Sequence, residues 1–244
     1  MIHYHGAPCP GNSAEQIVFF RRRDCLLSFA NREKVSPELL FTYCRTFILD
    51  NGSFSYWKNG IATNWDEFYK WVQNWMHHPR FEWFLIPDVI GGTTKENDLL
   101  IKDSYFPRYG VPVFHIGEPV KRISFFLDQG FKRFAIGSTP GFELKSMNFW
   151  NEMRKVFNRI CIDGIPIVKA HGLRMLDPEI VEAFPFSSCD SATASMESIF
   201  DYKWKHHYWP RTQSGRAALV ADYLEQAQSP SAYQSKPIQI DLGI

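Results

Sequence analysis

The stretch Phe47-Ile48-Leu49-Asp50-Asn51-Gly52-Ser53-Phe54 is an apolar run that ends on a carboxylate and passes directly into a turn signal. The same order recurs along the chain. Pro87-Asp88 follows Phe84-Leu85-Ile86, and His115 to Glu118 follows Val111-Pro112-Val113-Phe114. Gly137-Ser138 follows Phe134-Ala135-Ile136, His171-Gly172-Leu173-Arg174 follows Ile167-Val168-Lys169-Ala170, and Cys189-Asp190-Ser191 closes the set. Reactive or small residues at the ends of successive apolar runs are the mark of an α/β barrel, whose active sites are assembled at the C-terminal ends of its strands.

Eight runs read as strands: Ile2–His5, Cys25–Phe29, Thr46–Asp50, Phe81–Pro87, Val111–Ile116, Arg133–Ile136, Ile165–Ala170 and Pro185–Ser188. Most are short and bounded by Gly, Pro or Asp, as buried parallel strands are. Helical patterns lie between them. Ser36-Pro37 opens one through Tyr43, and Asn64 caps Trp65–His77, whose Trp65, Phe68, Trp71, Val72 and Trp75 form a packing face. Lys95–Ser104, Pro119–Gln129, Lys145–Arg159, Asp177–Ala183 and Ser214–Gln228 complete the alternation, with Thr94 as the expected cap of the first of these. The expectation is an α/β fold, a single (β/α)8 barrel over 1–200, with a basic and aromatic segment, a helix and a C-terminal tail over 201–244 packing on it.

The chain has 244 residues, 45% hydrophobic and 16% aromatic, enough for one large core. Its net charge of +1 gives no global signature of a nucleic-acid binder, so such contacts have to come from local patches. Five scattered cysteines show no C-x-x-C spacing, which argues against a structural zinc or a disulfide framework. No signal peptide or membrane span is evident, and the expected compartment is the cytoplasm, with no membrane partner.

Each cluster has a plain reading beside the chemical one. Asp50-Asn51-Gly52 is a turn bonding its own backbone, or a carboxylate site where Gly52 allows close approach and Phe54 stacks on a planar ring. Asp88 is a helix cap or an acceptor for the N–H groups of a purine-like base. His115 is a satisfied strand histidine or a site residue, with Glu118 at a helix start. Gly137-Ser138 is a loop, or backbone N–H groups offered to a ligand. Gly172 allows close approach, and Arg174 makes a structural salt bridge or binds phosphate. Asp190 is the candidate nucleophile, since retention at an anomeric carbon uses a carboxylate nucleophile and a second acid/base group. Cys189 points the other way, into the core.

In this order the clusters resemble the queuine/archaeosine tRNA-guanine transglycosylase superfamily, and most closely its short phage-type branch, the 7-deazaguanine DNA transglycosylases. The resemblance rests on Phe47 to Ser55, Ile86 to Ile90, Val111 to His115, Ala135 to Ser138, His171 to Pro178 and Ser188 to Ser191. It implies exchange of guanine for a 7-deazaguanine, with Asp50 as the acid/base and Asp190 as the nucleophile. It places Phe54 on the base, Asp88 at the base edge, and His115 where the tRNA enzymes carry a Gln. Gly137 and Ser138 stand at a backbone contact, and His171 and Gly172 in the loop flanking the base. The Cys-x-Cys-x-x-Cys zinc cluster of the tRNA enzymes is missing from the sequence, which points to DNA rather than tRNA and to no cofactor or metal.

The expected partners are therefore DNA, presenting a single-stranded or flipped guanine, and a free 7-deazaguanine base. Lys203, Lys205, His207 and Arg211, interleaved with Tyr202, Trp204, Tyr208 and Trp209, suit a nucleic-acid backbone, and Arg21-Arg22-Arg23 is a second basic run. Two rivals remain from the residues alone. His3, His5, His115, His171 and Asp190 follow the order of an amidohydrolase-type metal site. A non-catalytic nucleic-acid-binding barrel is the other, although it would have no use for two carboxylates in one pocket.

Overall fold

The computed structural model describes residues 1–199 and 210–234. Its strands are β1 (Ile2–Ala7), β2 (Asp24–Ser28), β3 (Phe47–Asp50), β4 (Phe81–Leu85), β5 (Gly110–Val111), β6 (Val113–His115), β7 (Arg133–Gly137), β8 (Cys161–Ile162), β9 (Ile165–Pro166), β10 (Lys169–Gly172) and β11 (Ser188–Ser191). Nine of them form one sheet in the order β5-β4-β3-β2-β1-β11-β10-β7-β6, and every pairing is parallel.

The two edges of that sheet are halves of one run. β5 and β6 are separated only by Pro112, which has no N–H to give a ladder. Val111 O accepts from Ile86 N–H at 3.0 Å on one side, and Pro112 O accepts from Ala135 N–H at 2.9 Å on the other. The sheet thereby closes into an eight-stranded barrel, with helices between successive strands as expected.

Two of the expected strands shift. The run Ile165–Ala170 divides: Ile165–Pro166 pairs antiparallel with Cys161–Ile162 in an outlying hairpin, and the barrel strand is Lys169–Gly172. The last strand begins at Ser188, where the sequence reading ended it, because Pro185 and Phe186 remain outside the ladder. Asp190 therefore lies within a strand rather than beyond it. Helix boundaries move by a few residues. Asn64 caps Trp65–Trp75 by accepting from Glu67 N–H, whereas Thr93, not Thr94, caps Thr94–Lys102 in a capping box with Glu96. A helix at Ser13–Phe20, capped by Asn12, has no counterpart among the expected elements.

Strand alternation sorts the residues into two cores. Tyr4, Leu26, Ile48, Trp83, Leu85, Val111, Val113 and Ala135 fill the barrel. Their neighbours Leu27, Phe47, Leu49, Phe84, Phe114, Phe134, Ile136 and Cys189 face the helices. The heavy aromatic content goes mainly to that outer shell, where Trp65, Trp71 and Trp75 also pack. At the N-terminal end, buried Asp24 is held by Arg45 and by the Thr46 hydroxyl at 2.7 Å. The helix Gln213–Leu224 packs against Thr193–Glu197 and Ser13–Phe20, which ties the chain's end to its beginning. No helix among the described residues is long and apolar enough to cross a membrane.

Candidate active site

The inward phase that places Ile48 in the barrel also turns Asp50, two residues on, into its C-terminal mouth. The same phase brings Gly6, Ser28, His115, Gly137 and Asp190 to that end. There they line a cavity of about 390 Å³ together with Asn51, Phe54, Asp88, Ser138 and Arg174. Nine of the twelve barrel residues singled out from the sequence meet in this one space. Gly52, His171 and Gly172 are not in its wall.

Asp190 is buried and held from two sides. Its Oδ1 accepts from Arg174 N–H at 3.1 Å and faces His171 Nε2 at 3.1 Å. His171 is completely buried, and burial drives its pKa down, against the opposing pull of Asp190. The ring is thus neutral. A carboxylate can only accept, so Nε2 carries the proton and Nδ1 accepts from the Ser188 hydroxyl at 2.8 Å. Trp83 and Tyr4 meet the same ring edge-on at 4.8 and 6.0 Å. His171 is therefore a positioning residue beneath Asp190 rather than a wall against a ligand.

Asp50 is also met by two donors, the Ser28 hydroxyl and the Gly52 N–H. Burial pushes its carboxyl up to about 6; the Ser28 hydroxyl and the Gly52 N–H oppose the rise, and the charges of Asp190 and Asp88 add to it. Both carboxylates of the cavity are thus held by two donors each, and Asp50 is raised toward neutrality by its burial.

From the far side of the cavity a chain of charges runs outward, buried at Asp88, His115 and Arg122. Asp88 Oδ1 accepts from Asn51 Nδ2 at 2.8 Å, and its Oδ2 meets His115 Nε2 at 2.7 Å. His115 Nδ1 lies 3.5 Å from Glu118 Oε1, and Glu118 Oε2 takes both the His115 N–H at 3.0 Å and Arg122 at 2.6 Å. Arg122 ends on Asp98 at 2.8 Å. Burial disfavours charge on His115, but its bonds to Asp88 and Glu118 outweigh this and raise it to about 9, so the ring is an imidazolium at neutral pH. Asn51 is a brace: its amide donates to Ile86 O and Asp88, and its oxygen accepts from Ser53 N–H, all at 2.8 Å.

The glycines divide by the same alternation. Gly52 has φ +81°, and a Cβ there would meet Ala30 N at 3.0 Å, so it serves the turn rather than a ligand. A Cβ on Gly172 would strike Met175 Cβ at 2.8 Å and Cys189 Sγ at 2.9 Å in the outer shell. Of the three glycines expected at the site, only Gly137 faces the cavity, where a Cβ would find ordinary contacts from 3.6 Å. Ser28, Asn31 and Lys34 also line the space and escaped the sequence reading. Ser28 was accessible to it: it stands opposite Asp50 in register at the end of β2.

The histidine constellation of a metal hydrolase is not assembled. His3 Nε2 bonds Ala227 O and His5 Nε2 bonds Glu225, both at 2.8 Å, on the outer face of β1. Among the described residues no group of three His, Cys, Asp or Glu side chains is placed to hold a metal. Arg21 to Arg23 precede β2, at the end of the barrel away from the cavity, and Arg23 is engaged by Asp222, Glu225 and the Phe19 ring. Lys203, Lys205 and His207 lie outside the described residues, and Arg211 is exposed and apart from the cavity wall.

No family model matches the chain, and no curated protein does. Solved structures with the same architecture include the YdjI aldolase from Escherichia coli K12, at TM-score 0.57 and 11% identity, with 96% of this chain and 93% of that one covered. A mutant tryptophan synthase alpha-subunit from Pyrococcus furiosus matches at TM-score 0.51 and 9% identity, covering 93% and 96%. At such identities the likeness establishes the barrel and nothing about chemistry.

Proposed function

We propose that the protein is a base-exchange glycosyltransferase that replaces guanine in DNA with a 7-deazaguanine. The observation that carries this reading is the pair Asp50 and Asp190, set at one cavity mouth with Asp50 raised toward neutrality. In the proposed cycle an Asp190 carboxylate oxygen attacks C1′ of the deoxyribose as the bond to guanine N9 breaks. Asp50, whose raised pKa keeps it in part protonated near pH 6, gives its proton to the departing base. The incoming 7-deazaguanine returns a proton to Asp50 as its N9 attacks C1′, and Asp190 is released. His171 and the Arg174 N–H hold Asp190 in line throughout.

The remaining wall suits a purine. Phe54 supplies an aromatic ring in the wall, Gly137 leaves room, and the Asp88 carboxylate, paired behind with His115, presents an acceptor. The preference for DNA over tRNA rests on the missing cysteine cluster and the resemblance set out above.

The test is an exchange assay with radiolabelled 7-deazaguanine base and guanine-containing single-stranded DNA, duplex DNA or tRNA. Label enters DNA and not tRNA, and Asp190→Ala and Asp50→Ala each abolish or sharply lower incorporation. Unchanged exchange in either variant removes that residue from the mechanism, and labelled tRNA overturns the substrate.

A further inference from the structure

Arg174 stands at a point where three parts of the cavity meet. Its φ of +60° is left-handed, an unusual conformation for a long side chain, and the turn aims its N–H at Asp190. Its side chain reaches across to Phe54, with Cζ 3.4 Å from the ring centre. That is van der Waals contact, so no planar ligand fits between guanidinium and ring. No ion pair to a described carboxylate and no hydrogen bond from the guanidinium to a described residue holds it there, so among the described residues no structural salt bridge is made. Asp190 and Asp50 act on its charge only at longer range. The residue itself is exposed.

A planar cation whose forked donors no described residue accepts from thus rests on Phe54, the one phenyl or indole ring among the described residues of the cavity wall. The ring face cannot serve both this cation and a base. The fork matches a phosphate, which can be taken bidentately, far better than it matches an aromatic face. Beyond Phe54, at 5.6 Å, lies Trp57, 48% exposed, which continues an aromatic surface outward from the mouth.

We propose that Arg174 is a displaceable cap on Phe54, which leaves the ring for a phosphodiester oxygen of the bound strand and so opens the stacking face to the purine. The inference rests on the base-exchange reading and gives that reading's order, strand before incoming base, a structural cause in the cover on Phe54. A free base meeting the protein without a strand has to displace the guanidinium, which lowers its apparent affinity. A bound strand removes that competitor.

The experiment compares wild type, Arg174→Ala and Arg174→Lys, each checked for an unchanged melting temperature. Fluorescence anisotropy with a labelled guanine-containing single-stranded oligodeoxynucleotide across a salt series reads the strand. Equilibrium dialysis of radiolabelled 7-deazaguanine without DNA reads the free base. Arg174→Ala binds the free base several-fold more tightly than wild type, binds the strand more weakly, and shows a salt slope smaller by about one. Arg174→Lys keeps the salt slope while also freeing the ring. Weaker free-base binding in Arg174→Ala overturns the cap and makes Arg174 a base contact, and an unchanged salt slope overturns the phosphate contact. If wild type and both variants, all folded, bind neither probe, the base-exchange reading fails and the cap falls with it.

Discussion

At the scale of single residues, the two most informative groups are Asp50 and His115, and both are displaced upward. Asp50 moves from 3.8 to about 6, and His115 from 6.5 to about 9. In each the folded state binds protons more tightly than the unfolded chain, so each contributes stability at low pH that is lost on raising it. For Asp50 the loss runs from about 3.8 through 6, and for His115 from about 6.5 through 9. Thermal melts from pH 4 to 10 are therefore expected to show a decline in two stages. Asp50→Asn removes the lower stage and is more stable than wild type above pH 6, while base exchange falls by about 10² to 10⁴. His115→Gln removes the upper stage and is destabilised at neutral pH, because Asp88 and Glu118 lose a buried cation. A wild-type profile without either stage would mean that these groups are not held as described.

At the scale of elements, the strand ends decide what each residue does, and a shift of one residue reverses it. Gly137 at the end of β7 faces the cavity, whereas Gly172 at the end of β10 faces the helical shell. Gly172→Ala forces a Cβ against Met175 and Cys189 and is expected to cost about 1–3 kcal/mol of stability. Gly137→Ala meets only ordinary contacts, so it folds normally and instead raises the KM for the incoming base. Denaturation and kinetics on the two variants separate the roles, and equal loss of stability in both would contradict the assigned facing. The strand ends are also where sequence reading succeeds and fails. Phe47 to Asp50 is legible because period-two alternation, a carboxylate and Asn-Gly coincide. His171 and Gly172 follow the same pattern on paper, yet β10 begins later than its apolar run suggests, at Lys169. The run's first residues are drawn into the hairpin with Cys161–Ile162. Nothing local in Ile165–Ala170 announces that pairing, which tertiary context imposes.

At the scale of the whole molecule, the barrel follows from repetition: eight apolar runs with helices between them leave few other ways to bury so many aromatic side chains. Its closure hinges on Pro112, which splits one strand and lets each half serve a different edge. The site's residue types were legible for the same reason, since the barrel gathers strand ends at one mouth. Their partners were not. That Asn51 braces Asp88, that Arg122 anchors Glu118, and that Arg174 lies on Phe54 depend on side chains far apart in sequence. The central claim concerns one bond, between an Asp190 oxygen and a sugar C1′. Its most direct test is to incubate the protein with guanine-containing DNA in the absence of incoming base, denature it, and map adducts by peptide mass spectrometry. The account predicts a deoxyribosyl adduct on the peptide carrying Asp190, with one equivalent of guanine released and no adduct in Asp190→Ala. An adduct on another residue, or guanine release with none at all, would contradict it.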